Sequence, residues 1–108
     1  MTDPRFIGLV QSLLASAQSA LGEPHAVMGR RLEASGAKHL RTARRSLDLL
    51  RMLSVKTAGN LDDTERSSLR AAIHDVEMRL QAAEAAAEAA DDARRTRLDV
   101  ILPGEGLA

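Results

Sequence analysis

The chain has 108 residues, no cysteine, tryptophan or tyrosine and a single phenylalanine, and its length is that of one domain. These counts exclude a disulfide framework, a thiolate metal site and a set of aromatic platforms for stacking nucleobases. Fifteen basic and fifteen acidic residues give a net charge of zero. We therefore expect no overall attraction to nucleic acid or to an anionic membrane.

A first amphipathic helix is predicted from Pro4 to Leu21. Asp3 suits the N-cap, Pro4 suits the first helical position and Gly22 is a natural stop. Apolar residues recur at three- and four-residue spacing, which places them on one stripe of a helix. That stripe contains Phe6, Leu9, Val10, Leu13, Ala17, Ala20 and Leu21.

The opposite face of this helix carries no charged residue between Gly8 and Ser19, although a solvent-facing helix usually carries Lys and Glu. Small residues at four-residue spacing would also let another backbone approach closely. One interpretation is a surface of low charge, and the other is a helix covered on both sides. We expect the second, and therefore self-association. The residues assigned to it are Phe6, Gly8, Ser12, Leu13, Ser16 and Ala20.

Residues Glu23 to Gly36 are predicted to form a loop, because they contain three Gly or Pro positions. A second helix is then predicted from about Ala37 to Ala58, before the stop at Gly59. Its apolar stripe contains Leu40, Ala43, Leu47, Leu50 and Leu53, and its other side is a basic face. The basic face contains Lys38, Arg41, Arg44, Arg45 and Arg51.

The charge is strongly polarised along the chain. Residues 30–56 have a net charge of +6 and residues 57–108 have a net charge of −5. One interpretation of the basic face is pairing with the acidic third helix, in the same chain or in a second copy, and we prefer it. The other is binding to a phosphate backbone, which would depend strongly on salt.

A long third helix is predicted from about Asp63 to Arg97. Asp62 and Glu65 have the spacing of a capping box at its start. The apolar stripe begins with Leu69, Ala72, Ile73, Val76 and Leu80 and becomes all alanine after residue 82. Some 35 residues would make a rod of roughly 50 Å, longer than the first helix can cover.

The last residues break the helical pattern. They contain Leu98, Val100, Ile101 and Leu102 before Pro103. This segment is either a frayed tail or a short docking peptide for a partner. The chain thus divides into a helical domain over residues 1–81, an alanine-rich helical extension over 82–97 and a tail over 98–108.

Three stretches of the chain resemble a known family over residues 6–80. The first helix contributes Phe6, Leu9, Val10, Ser12, Leu13, Ala17 and Ala20-Leu21-Gly22. The second stretch runs Leu47-Asp48-x-Leu50-x-Met52-Leu53-x-x-Lys56-Thr57-x-Gly59-Asn60-Leu61. The third helix contributes Glu65, Leu69, Ile73 and Met78. The chain is similar to the bacterial domain-of-unknown-function family eighteen-forty-four. The resemblance implies a small all-α fold and no catalytic residues. The Lys-Thr-x-Gly-Asn-Leu motif itself has the residues of a joint between two helices.

No arrangement of residues points to catalysis. His25, His39 and His74 lack partners at metal-ligand spacing, and the chain has no phosphate-binding glycine loop and no nucleophile elbow. We therefore expect no enzymatic activity, no metal and no cofactor. No stretch is long and apolar enough for a membrane span, so we expect no insertion into membranes. The lack of cysteine fits a reducing cytoplasm, and we expect the protein there.

The predicted fold is all-α, with three helices and a long C-terminal helix, and we expect homodimerisation to complete it as a bundle. The predicted function is a non-enzymatic homo-oligomeric adaptor or scaffold. Its partners would be a second copy and another protein, bound through the helical faces or the tail. The alternative is a nucleic-acid-associated protein that uses the basic face.

Overall fold

The structure, a computed structural model, describes residues 1–22 and 36–96 with their side chains and the helical backbone of residues 29–35 and 97–101. Three α-helices follow one another: α1 (Pro4–Leu21), α2 (Gly29–Lys56) and α3 (Asp63–Ile101). Each helix contacts the other two. The all-α class and the long C-terminal helix are therefore confirmed. No helix among the described residues is long and apolar enough to cross a membrane.

The helices run up, down and up. The Asp3 amide donates to Glu65 Oε2 at 2.8 Å, and Arg79 Nη1 donates to the Gly22 carbonyl at 3.1 Å. The first bond joins the starts of α1 and α3 and the second joins the end of α1 to the middle of α3, so the two helices are parallel. Arg51 pairs with Glu77 and Arg44 pairs with Glu84, so α2 runs antiparallel to α3.

One apolar core lies between the three helices. Leu50, Val10 and Val76 are its largest fully buried side chains. Among the described residues, the buried apolar side chains are Val10, Ala17, Ala43, Leu47, Leu50, Leu69, Ala72, Val76 and Leu80. All of these residues belong to the stripes that the helical periodicity predicts.

Helix α1 begins and ends as its sequence indicates. The Asp3 carboxylate accepts a hydrogen bond from the Arg5 amide at 2.9 Å, and Pro4 occupies the first turn, where its missing N–H costs nothing. At the other end the Gly22 amide donates to the Gln18 carbonyl at 2.8 Å. Gly22 has φ +71°, a conformation that glycine adopts without steric cost.

The joint between α2 and α3 follows the motif of the sequence. Both the amide and the hydroxyl of Thr57 donate to the Leu53 carbonyl, at 2.9 and 2.6 Å. Gly59 has φ +85°, the left-handed conformation that reverses the chain. The Glu65 amide then donates to Asp62 Oδ1 at 2.7 Å, and the Asp62 amide donates to Glu65 Oε1 at 2.9 Å. This is the predicted capping box.

Helix α2 begins earlier than predicted. It starts at Gly29, so the prediction of a loop over residues 23–36 is wrong for residues 29–36, and residues 23–28 lie outside the described residues. A single glycine costs a helix only about 1 kcal/mol relative to alanine. The residues between Gly29 and Gly36 include good helix formers, and Gly36 itself is buried. Burial at Gly36 therefore offsets the weak helix propensity of that glycine.

Helix α3 also continues further than predicted. Its backbone runs to Ile101, so Leu98, Val100 and Ile101 belong to the helix, while Leu102 lies outside the described residues. The expected break of the helix after Arg97 is therefore wrong. Pro103 is the first helix-breaking residue after position 97, so the sequence before it allows the helix to continue.

Candidate functional site

The residues predicted for self-association divide into two groups. Phe6 and Leu13 are half-buried and pack against the core of their own chain. Gly8, Ser12 and Ser16 are exposed, and a Cβ placed on Gly8 would meet no atom within 4 Å. Ala20 lies half-buried at the edge of this surface. The exposed part of the set is therefore small, uncharged and free to be approached.

Several large apolar side chains are exposed, and sequence periodicity alone did not single them out. Leu9 is 46% exposed, although it belongs to the predicted stripe of α1. Met52 and Val55 on α2 are 43% and 74% exposed, and Met78 on α3 is 54% exposed. On a helical wheel Leu9 falls at the edge of its stripe, and Met52 falls opposite the core stripe of α2. That wheel position is the signal that could have identified them.

The basic face of α2 also divides into two groups, arginines that are paired with α3 and cations that are not. Arg44 Nη2 lies 2.8 Å from Glu84 Oε2, and Arg51 Nη2 lies 2.7 Å from Glu77 Oε2. These two arginines are seven residues apart, so both face the flank of α2 that α3 covers. Three further cations are exposed and form no ion pair within the described part of the chain. They are Lys38, Arg41 and Arg45.

A groove of about 530 Å³ lies between α2 and α3. Leu47 and Leu80 form its apolar floor, and its rim is polar. The polar lining consists of Arg44, Asp48, Arg51, Glu77, Gln81 and Glu84. The two ion pairs between α2 and α3 hold four of these side chains, so each cation of the rim is neutralised by a carboxylate. Such a rim offers no free charge to orient a polar ligand, apart from Asp48.

Pairing within the chain leaves an excess of positive charge on the described surface. Most carboxylates of the described residues form ion pairs with arginine. These carboxylates belong to Asp3, Asp63, Asp75, Glu77, Glu84, Asp91 and Asp92. Among residues 1–22 and 36–96, the Asp, Glu, Lys and Arg side chains without an ion pair are the buried acid Glu65, the exposed acids Asp48 and Glu88, and the exposed bases Lys38, Arg41, Arg45, Lys56, Arg70 and Arg94. The neutral net charge therefore conceals a surface whose unpaired charge is basic.

A polar cluster ties the start of the chain to the start of α3. Buried Glu65 accepts from the Asp62 amide and from the Asp3 amide, which lies 62 residues earlier in the chain. The Thr2 hydroxyl donates to Asp62 Oδ2 at 2.7 Å. The sequence predicted the capping box and missed the bond to Asp3, because that bond depends on how α1 docks beside α3.

The ionisation of Asp62 is part of this cluster. The hydrogen bond from the Glu65 amide, followed by the one from the Thr2 hydroxyl, holds the pKa of the Asp62 carboxyl below its usual range. The stabilisation that the ionised carboxylate supplies is therefore present at neutral pH. It is lost as the pH falls through that lowered pKa. The geometry describes a structural clamp, because every polar atom named here serves a helix end.

The metal, tail and histidine sites considered from the sequence have less structural support. Within the described ranges, no group of three or more His, Asp or Glu side chains could hold a metal ion. The tail residues proposed for docking, Leu98, Val100 and Ile101, are described only as helical backbone. His39 is half-buried and His74 is exposed, on different helices.

Comparison with known proteins gives one finding. A family model described as Domain of unknown function (DUF1844) matches residues 3–82, which span α1, α2 and the first half of α3. Neither the curated proteins nor the solved structures contain a match. The matched region includes the Lys56-Thr57-x-Gly59-Asn60-Leu61 joint, and the alanine-rich part of α3 lies beyond it. Since the match covers well over half of its length, the chain belongs to the DUF1844 family.

Proposed function

We propose that this protein is a non-enzymatic cytoplasmic adaptor that forms homo-oligomers and binds a protein partner through its helical faces. The observation that carries the proposal is the outer face of α1. Gly8, Ser12 and Ser16 are exposed on it without a charged neighbour between residues 6 and 22, and Leu9 is 46% exposed. A surface of this composition is less costly to remove from water than a charged one. The lack of cysteine suits a reducing compartment.

Self-association would use the exposed part of α1 alone. Phe6 and Leu13 are occupied by the core of the same chain, so the contact would be made by Gly8, Ser12 and Ser16, with Ala20 at its edge. Small side chains allow two helices to approach closely, and α1 is about 27 Å long. Pairing two such helices would complete a larger bundle and leave α2 and α3 open to a partner. The tail residues Leu98 to Leu102 stay a second candidate for partner docking.

The substitution Gly8→Leu tests self-association. The space beside Gly8 is open, so leucine fits the isolated chain, and it raises helix propensity by up to about 1 kcal/mol. The isolated chain should therefore become no less stable, while the oligomer should dissociate because the helices can no longer approach. Light scattering after size exclusion gives the mass, and thermal unfolding gives the stability.

A matched control is Ala71→Leu, which adds leucine to an exposed position of α3. The control should keep the mass of the wild-type protein. If the wild type is already monomeric and Gly8→Leu leaves that mass unchanged, self-association is removed from the proposal. Binding of a protein partner would then have to be a property of the single chain.

The alternative function is association with nucleic acid. The observation in its favour is that Lys38, Arg41 and Arg45 are exposed and unpaired among the described residues. Three phosphate contacts would give a slope of about −3 for the logarithm of affinity against the logarithm of salt concentration. A fluorescently labelled random duplex titrated at several salt concentrations measures that slope. Absence of binding at low salt would eliminate the alternative.

A further inference from the structure

A single stripe runs along the outer side of α2, opposite the core. At 100° per residue its members fall within about 80° of arc, over a length of about 27 Å. We call this the α2 outer stripe; it consists of Lys38, Arg41, Arg45, Leu49, Met52 and Lys56. The core residues Ala43, Leu47 and Leu50 occupy the other side of the same helix.

The basic part of the α2 outer stripe differs from its neighbours in being unpaired. Arg44 and Arg51 belong to the flank that faces α3, and each is neutralised there by a glutamate. Lys38, Arg41 and Arg45 form no ion pair within the described ranges, and the stripe itself contains no acidic residue. The internal pairing that the polarised sequence suggested therefore accounts for the flank and leaves the stripe available.

The other part of the α2 outer stripe is apolar. Met52 is 43% exposed, and Leu49 beside it is only half-buried. Lys56 closes the stripe at its C-terminal end. A run of cations followed by leucine and methionine on one line of a helix is complementary to a helix that presents carboxylates next to apolar side chains. Methionine also adapts its shape to such a partner.

We infer that the α2 outer stripe is the docking surface for an acidic amphipathic helix of a partner protein. This inference rests on the proposed adaptor function and names the chemistry of the partner. Carboxylates of the partner helix pair with Lys38, Arg41 and Arg45, and its apolar residues cover Leu49 and Met52. The helix packs along α2 for most of the length of the stripe.

Charge and composition favour this occupant over three others. Within residues 1–22 and 36–96, a second copy offers few free carboxylates, since only Asp48 and Glu88 there have neither an ion pair nor a place in the helix-capping cluster. Nucleic acid would pair with the cations and leave Leu49 and Met52 uncovered, with no aromatic side chain beside them. An anionic membrane would meet an apolar strip of only two side chains, Leu49 and Met52, which is narrow for insertion among lipid headgroups.

The test uses a synthetic helical peptide of about 21 residues, long enough to span the stripe. Leucine occupies one face of the peptide, glutamate flanks it, and alanine and glutamine fill the remaining positions. Its binding to the full chain is measured by isothermal titration calorimetry. A peptide with lysine in place of glutamate, a random DNA duplex, and vesicles of neutral and anionic phospholipid in a 3:1 ratio are measured in parallel.

Two variants alter the stripe and one serves as the matched control. Arg41→Glu with Arg45→Glu reverses the charge, and Met52→Ser removes the apolar contact. Arg70→Glu with Arg94→Glu makes the same charge change at unpaired arginines of α3. All four arginines are exposed and outside the core, so circular dichroism should show an unchanged fold. We expect the acidic peptide to bind about tenfold or more weakly to both stripe variants and to bind unchanged to the control.

Each other result overturns the inference. If the acidic peptide fails to bind the wild type, or binds the stripe variants and the control equally, the stripe is not its site. If the duplex or the vesicles bind instead and Met52→Ser does not change their affinity, the cations of the stripe bind phosphate groups. The oligomeric mass of each variant is recorded as well. An oligomer that persists while the peptide fails would leave the proposed function standing and this inference refuted.

Discussion

The two halves of α3 form the same secondary structure for different reasons. Residues 63–80 bury Leu69, Val76 and Leu80 against the other helices. Among residues 81–96 no side chain is buried; Ala83, Glu84 and Ala87 are half-buried and the rest are exposed. The first half is therefore held by burial of apolar surface, and the second half by the high helix propensity of alanine and by ion pairs such as Asp91–Arg95.

This difference shows that one continuous helix can change its source of stability along its length. The region that matches the family model includes the first half of α3 and ends at residue 82, near the point where burial of side chains ends. The pairs Arg44–Glu84 and Arg51–Glu77 set α2 antiparallel to α3, so the first part of α2 runs beside the second half of α3. The molecule is elongated, with extents of 74 × 22 × 18 Å.

The largest expected effect is in the first half of α3. Leu69→Ala should lower the free energy of unfolding by about 3 kcal/mol, because it removes apolar contacts and leaves a cavity in the core. Leu69 is 3% exposed. Urea denaturation monitored by circular dichroism measures the change. A loss below about 1 kcal/mol would mean that this half of α3 is not held by burial.

The next effect compares a glutamate at the start of α3 with a glutamate in its exposed second half. Glu65→Ala should cost about 2 to 3 kcal/mol, because it leaves the Asp3 and Asp62 amides without their acceptor. Glu88→Ala, in the exposed second half, should leave stability within about 0.5 kcal/mol of the wild type. Comparing the two by urea denaturation separates a clamped glutamate from a solvated one. Equal losses would contradict the clamp.

Alanine-to-glycine substitutions sharpen the comparison further. Ala87→Gly should cost about 1 kcal/mol or less, since helix propensity is nearly all that it removes. Ala72→Gly should cost more, because Ala72 is 1% exposed and the substitution also deletes a buried methyl group. Thermal unfolding of both variants provides the measurement. A larger loss for Ala87→Gly would show that the second half is packed by something outside the single chain.

The smallest effect separates paired from unpaired cations on α2. Arg44→Gln should cost up to about 0.5 kcal/mol, because the Arg44–Glu84 pair is half-exposed and screened by solvent. Arg45→Gln removes a neighbouring arginine that has no ion pair among the described residues and should leave stability unchanged. Paired thermal melts at low and high salt compare them. The difference should shrink at high salt, as expected for an exposed ion pair.

Local signals in the sequence predicted the helix ends well. Asp3 with Pro4, Gly22, and Asp62 with Glu65 each marked a helix end through chemistry confined to a few residues, and the structure has these caps. The start of α2 was missed because Gly29 and Gly36 look like breakers when packing is unknown. Burial of Gly36 depends on neighbouring helices, and no local pattern contains that information.

The candidate surfaces were harder to predict because they depend on which flank each neighbour covers. A helical wheel places Arg41, Arg44 and Arg45 on one broad basic side of α2. Only the position of α3 shows that Arg44 is paired while the other two are not. Leu9 belongs to the apolar stripe of α1 by its spacing, and only its position at the edge of that stripe indicates that it is partly exposed.

The bond from the Asp3 amide to Glu65 also constrains the order in which the chain can assemble during synthesis. Its two partners are 62 residues apart, so α1 is synthesised before its acceptor exists. The α2–α3 hairpin, by contrast, closes over the short segment 57–62 as soon as α3 appears. Helix α1 therefore cannot form this bond until the start of α3 has been synthesised, and before that its apolar stripe can pack only against α2.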